Sequence, residues 1–169
     1  LRFAPHGCRR LFPEEPAGSH ANYFSGTDPA KWRIKVRQFR RVVCEGAYPG
    51  IDLTFHGDRG QLELDYLVSP RADPGSIRLR FEGGGTPALR NDHGLQWDFG
   101  RGQLSLDVPR AFEKHGDREV EIEGVRYRVK GRTARLDLPA HDRRRPILID
   151  PVISYSTYIG AGAAAYAAA

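Results

Sequence analysis

The chain has 169 residues, 40% of them apolar and 28% charged, with a formal net charge of +5. That balance is globular rather than disordered, and the length supports one domain with a real core. Frequent breakers (19 Gly and 12 Pro) argue against long helices, and no apolar run is long enough to cross a bilayer as a helix.

The charge is uneven. Residues 1–41 hold nine Lys or Arg and three Asp or Glu, a net of +6, whereas the rest of the chain nets −1. The sequence begins at Leu1 and contains no Met, so a missing leader peptide is no argument for the cytoplasm.

Residues 1–30 are rich in Pro and Gly and read as an irregular basic arm. Trp32, Ile34 and Val36 then alternate with Lys31, Arg33, Lys35 and Arg37. Period two predicts a strand with its apolar side toward the core and one cationic face. Ile51, Leu53 and Phe55 alternate with Asp52, Thr54 and His56. The turn Gly57-Asp58-Arg59-Gly60 and the run Leu62, Leu64, Tyr66 complete the clearest hairpin in the chain.

Further strands follow at Ile77–Phe81, Ala88–Arg90, Leu95–Phe99 and Leu104–Val108. More are expected at Ala111–Lys114, Glu119–Ile122, Val125–Val129, Leu136–Leu138 and Pro146–Ile149. Val152–Ile159 is β-branched and aromatic and reads as the last strand. Ten or more short strands with frequent turn residues predict an all-β fold. The expected form is an antiparallel, sandwich-like double sheet with many short hairpins and little helix. There is no βαβ rhythm and no phosphate-binding glycine loop.

The expected organisation is an arm over 1–30, an antiparallel β domain over 31–151, and a strand over 152–169 that leads to a following unit. Residues 161–169 are almost featureless alanine. They either pack on something or stand in for side chains that were not identified.

Several segments together resemble the N-terminal β-rich domain of secreted bacterial proteins that carry SBBP β-propeller repeats. They are Asn22-Tyr23-Phe24 with Gly26, Asp28-Pro29 and Trp32; Tyr48-Pro49-Gly50-Ile51-Asp52-Leu53; and Leu62-Glu63-Leu64-Asp65-Tyr66. Asp73-Pro74 with Ile77 and Phe81-Glu82-Gly83 is another, and Arg145-Pro146 with Ile149-Asp150-Pro151 leads to Tyr155-Ser156-Thr157-Tyr158. The resemblance covers roughly residues 22–160 and implies that the arm over 1–30 is the remnant of a longer N-terminal portion. It implies an extracellular, periplasmic or cell-surface location. It also implies a non-catalytic structural or interaction module, which presents a propeller in the same chain or docks as an accessory subunit in a larger assembly. It brings no catalytic residues.

Candidate chemistry is sparse. Asp52, Glu63 and Asp65 share one hairpin face and are the weak candidates for Ca²⁺, the alternative being a carbohydrate- or calcium-binding sandwich. Pinning of loop amides by Asp52 and Asp65 is the plainer reading. The six histidines have no metal-ligand spacing and read as exposed turn residues. No Ser/His/Asp or Cys/His set supports an enzyme, and no cofactor is expected. Lys31, Arg33, Lys35 and Arg37 offer a protein-contact face. Nucleic acid is not an expected partner, and Tyr155 and Tyr158 are candidate anchors. Cys8 and Cys44, the only cysteines, either bridge in an oxidising compartment or stand apart as small apolar residues.

Overall fold

The computed structural model describes residues 7–58, 61–100 and 102–157. The strands are β1 (Arg10–Tyr23), β2 (Arg33–Tyr48), β3 (Ile51–Asp58), β4 (Gln61–Val68), β5 (Arg78–Arg80), β6 (Ala88–Leu89) and β7 (Leu95–Asp98). They continue with β8 (Gly102–Leu106), β9 (Arg110–His115), β10 (Arg118–Glu121), β11 (Arg126–Lys130), β12 (Thr133–Asp137), β13 (Ile147–Asp150) and β14 (Val152–Thr157). The only helical pieces among the described residues are two 3-10 turns, Pro29–Lys31 and Pro74–Ser76. Each is entered by an aspartate, Asp28 or Asp73, whose carboxylate accepts the amide two residues on at 3.0 Å. The fold is all-β, as the alternation predicts.

Every strand pairing is antiparallel, and the strands form a sheet of eleven and a sheet of three. The β3–β4 hairpin runs in unbroken register from Ile51 opposite Val68 to Asp58 opposite Gln61. Its tip, Arg59 and Gly60, lies outside the described residues. Ile51, Leu53, Leu64, Tyr66 and Val68 are buried, whereas Asp52, Thr54, His56, Glu63 and Asp65 take the other face. Each enclosed aliphatic side chain contributes about 1.5–3 kcal/mol. A slip of one residue would exchange the two faces, so burial fixes the register.

Near the end of the chain the strand run breaks at Pro151, which has no amide hydrogen to donate. β13 lies between β4 and β9, and β14 lies between β4 and β8. One segment therefore divides the large sheet into a β9–β10 branch and a β8–β7–β6 branch. The small sheet, ordered β11–β12–β5, covers the core from the other side. Leu79, Tyr127, Ala134 and Leu136 face inward from it and join one cluster with Ile51, Leu53, Tyr66, Leu95 and Ile149.

The two sheets are tied by Tyr48. Its hydroxyl donates to the Arg78 carbonyl at 2.8 Å and accepts from the Arg78 amide at 3.0 Å, satisfying both peptide groups on the outer edge of β5. Gly46 makes this reach possible. It sits at φ +66 in the register break between Cys44 and Tyr48, and its amide donates to Asp52 Oδ1 at 2.7 Å.

Residues 10–23 are not irregular but form a 14-residue strand. Pro13 and Pro16 fit there because β1 is an edge strand and has β2 on one side only. Trp32 and Ile34 do not enter the core either, being 37% and 60% exposed. β2 has β3 beside it only from Arg41 onward, so among the described residues no strand pairs with the earlier part of β2 on that side. A bulge also breaks the alternation: Ala21 faces Val36 but Tyr23 faces Arg33, with Lys35 at φ +53.

Candidate functional site

From Arg41 toward its tip the β1–β2 hairpin is, among the described residues, a two-stranded arm with no third strand. A disulfide between Cys8 and Cys44 staples its base, with the Cα atoms 5.1 Å apart. Arg9 and Arg10 both pair with Glu45 beside it. Further along, Arg41 reaches Glu15 at 3.1 Å, and Ser19 donates to Gln38 at 2.6 Å.

The tip is ordered by local bonds. Phe24 and Trp32 stack edge to face at 5.1 Å, and the indole N–H donates to the Gly26 carbonyl at 3.1 Å. Asn22 accepts from the Lys35 amide at 2.8 Å, holding the bulge. This leaves Tyr23, Phe24, Trp32 and Ile34 exposed among Lys31, Arg33, Lys35 and Arg37. The four expected contact cations are therefore on the arm, and the apolar residues expected behind them share its surface.

The carboxylates Asp52, Glu63 and Asp65 are not one cluster. Asp52 lies opposite Leu67 at the far end of the hairpin and is engaged by Gly46. Glu63 and Asp65 instead flank His56, whose Nε2 is 2.9 Å from Asp65 and whose Nδ1 is 3.5 Å from Glu63. His56 is thus a half-buried strand residue, not an exposed turn histidine. Its position directly opposite Glu63 in the hairpin was the readable signal. Asp65 also meets Arg41 at 3.8 Å, so it binds side chains rather than a loop amide.

Asp150 adjoins this group. Burial, and then the charges of Asp65 and Glu63, push its carboxyl above the ordinary range, against the opposing pull of His56 and Arg110. Among the described residues no three His, Cys, Asp or Glu side chains are arranged to hold a metal. Tyr155 lies in β14 opposite Leu104, while Tyr158 and the alanine run lie outside the described residues.

A second cationic surface had no counterpart in the sequence reading. Pairing of the small sheet places Arg78, Arg135 and Arg128 in one cross-strand row and Arg80, Thr133 and Lys130 in the next. All five cations are exposed. Arg128 shares Asp137 with Arg126, at 2.8 and 2.9 Å, and these guanidiniums hold the Asp137 carboxyl below its usual range. Arg80 reaches Glu82 at 3.6 Å. Arg78, Lys130 and Arg135 form no ion pair among the described residues.

These residues line a shallow groove of about 1300 Å³, walled by Arg132 and the loop after Phe81. Arg132 donates to the carbonyls of Phe81, Gly83 and Gly84 and so shapes that wall. Gly84 cannot be replaced easily: it sits at φ +57, and a Cβ there would lie 2.5 Å from the Phe99 Cα. The alternation of Arg with apolar residues in three strands was visible in the sequence. What was not visible is that the three would be neighbours.

A family model described as Domain of unknown function (DUF7948) matches residues 7–152. No curated protein and no solved structure matches the chain.

Proposed function

The chain belongs to the DUF7948 family, and we propose that it is a non-catalytic interaction module of a secreted or cell-envelope protein. The arm carries this reading. A two-stranded ribbon is marginal in water by itself, yet this one places an aromatic and aliphatic tip in solvent beside Lys31, Arg33, Lys35 and Arg37. Exposed clusters of this composition are characteristic of contact anchors. The charge selects the partner: a protein surface with an apolar socket and an acidic rim.

The disulfide supports the location, because such bonds persist in oxidising compartments. The resemblance to the heads of SBBP repeat proteins supports a β-propeller of the same chain, or a larger assembly containing it, as the neighbour. β14 fits that role, since it is locked between β4 and β8 and transmits load into the middle of the large sheet.

The test is size-exclusion chromatography of the native material, comparing wild type with Phe24→Ala/Trp32→Ala. The expected result is a partner complex that weakens with salt and by at least about 30-fold in the variant, as hot-spot truncation of about 2 kcal/mol or more dictates. A complex of unchanged affinity in the variant would remove the arm from the interface.

A further inference from the structure

We infer that the outer face of the three-stranded sheet binds a linear polyanion, an acidic polysaccharide bearing carboxylates or sulfates. Three guanidiniums, those of Arg128, Arg135 and Arg78, stand directly opposite one another across the sheet. Like charges in that relation destabilise a sheet. Some exposed strand arginines have carboxylate partners: Arg110 takes Glu121 at 2.9 Å, and Arg126 and Arg128 share Asp137 at 2.9 and 2.8 Å. Arg78, Arg135 and Lys130 have no carboxylate partner among the described residues, and an external anion completes them.

The geometry selects the anion. Guanidinium forks match carboxylate, sulfate and phosphate oxygens two at a time. A chain lying across β11, β12 and β5 meets a guanidinium at each strand, about every 4.8 Å, the scale of one sugar ring. Lys130 and Arg80 supply a parallel second row.

Other polyanions fit less well. Single-stranded nucleic acid needs exposed rings for stacking, whereas Phe81 is buried and the Tyr48 hydroxyl is committed to Arg78. An acidic peptide adding as a strand would meet the Arg78 peptide groups already bonded to Tyr48. A lipid surface calls for an apolar insertion, and the apolar residues of these strands point to the core. The preference for a glycan over nucleic acid also rests on the secreted reading above.

The experiment is titration calorimetry at low salt with oligogalacturonate, dextran sulfate, neutral dextran and oligo-dT. The proteins are wild type, Arg78→Gln/Arg128→Gln/Arg135→Gln, and the arm variant Arg33→Gln/Lys35→Gln/Arg37→Gln, each checked for its fold by near-UV circular dichroism. The single variant Arg135→Glu relieves the row's repulsion and serves if the triple variant does not fold. Expected is binding of at least one anionic glycan, lost tenfold or more in the sheet variants and changed less than twofold in the arm variant. The preferred glycan identifies the anion as carboxylate or sulfate. The inference fails if neither glycan binds, if the arm variant loses as much as the sheet variants, or if oligo-dT binds more tightly than both. Absence of glycan binding by the wild type, with the arm-dependent complex intact, would sink this inference and leave the docking reading standing.

Discussion

The arm and the small sheet both present rows of cations, but they are supported in opposite ways. Behind Arg78, Arg128 and Arg135 lies the core, with Leu79, Ala134, Tyr127 and Leu136 on the reverse face. Behind Arg33, Lys35 and Arg37 there is no sheet among the described residues, and the ribbon is held by the Cys8–Cys44 bond at its base and by side-chain bonds at its tip. The difference separates two kinds of recognition. A face backed by core keeps its charges at fixed spacing, which suits a repeating ligand. A ribbon without a backing sheet leaves its apolar tip open, which suits the proposed docking on a partner.

The largest effect is expected at the staple. Cys8→Ser/Cys44→Ser opens a loop defined by a separation of 36 residues. Chain entropy alone puts the loss near 4 kcal/mol. Urea unfolding should show that fall, while glycan binding by the remaining folded fraction stays intact. Parallel loss of glycan binding in folded protein would break the comparison, since it would couple the two surfaces.

Next is Tyr48→Phe, which strips both partners from the Arg78 peptide groups at the outer edge of β5. Leaving such groups unmet costs roughly 1–3 kcal/mol. Amide exchange should quicken in β5 and β12 but not in the arm. Arg135→Glu should act in the opposite direction, placing a carboxylate between Arg128 and Arg78. A gain of about 0.2–1 kcal/mol is expected from the cross-strand pairs, read as a higher melting temperature together with lost polyanion binding.

The smallest effect is at Asp150, half-buried with Oδ1 enclosed. Its carboxyl is raised, so its charged form weighs against folding above the folded pKa, and that penalty vanishes below the unfolded value of about 3.9. Asp150→Asn should therefore add a few tenths of a kcal/mol at pH 7, discounted for solvent screening. The advantage should shrink as pH falls through the raised folded value. An advantage that grew with acidity would reverse the assignment.

Much of the fold was legible because alternation is a local property. The β3–β4 hairpin, the β9–β10 turn and the strand after Pro151 all follow from period two and turn residues. The arm was obscured by Pro13, Pro16 and Gly18, which read as irregular chain but are tolerated on an edge strand. Trp32 was misdirected because parity carries no information across the Lys35 bulge, or about whether a sheet lies behind a strand. The arginine rows were hidden for a different reason. β5 pairs with β12, far along the chain, and a near-neutral average over residues 42–169 conceals a cationic face offset by acids elsewhere.

The central claim is that the arm is a ribbon without a backing sheet whose exposed tip docks on a partner. Hydrogen exchange compared between the isolated domain and the native assembly tests it most directly. The account predicts fast exchange over residues 14–40 in the isolated domain, with strong slowing there in the assembly and little change in β3, β4 and β13. Equal exchange of the arm in both states, with protection appearing elsewhere, would contradict it.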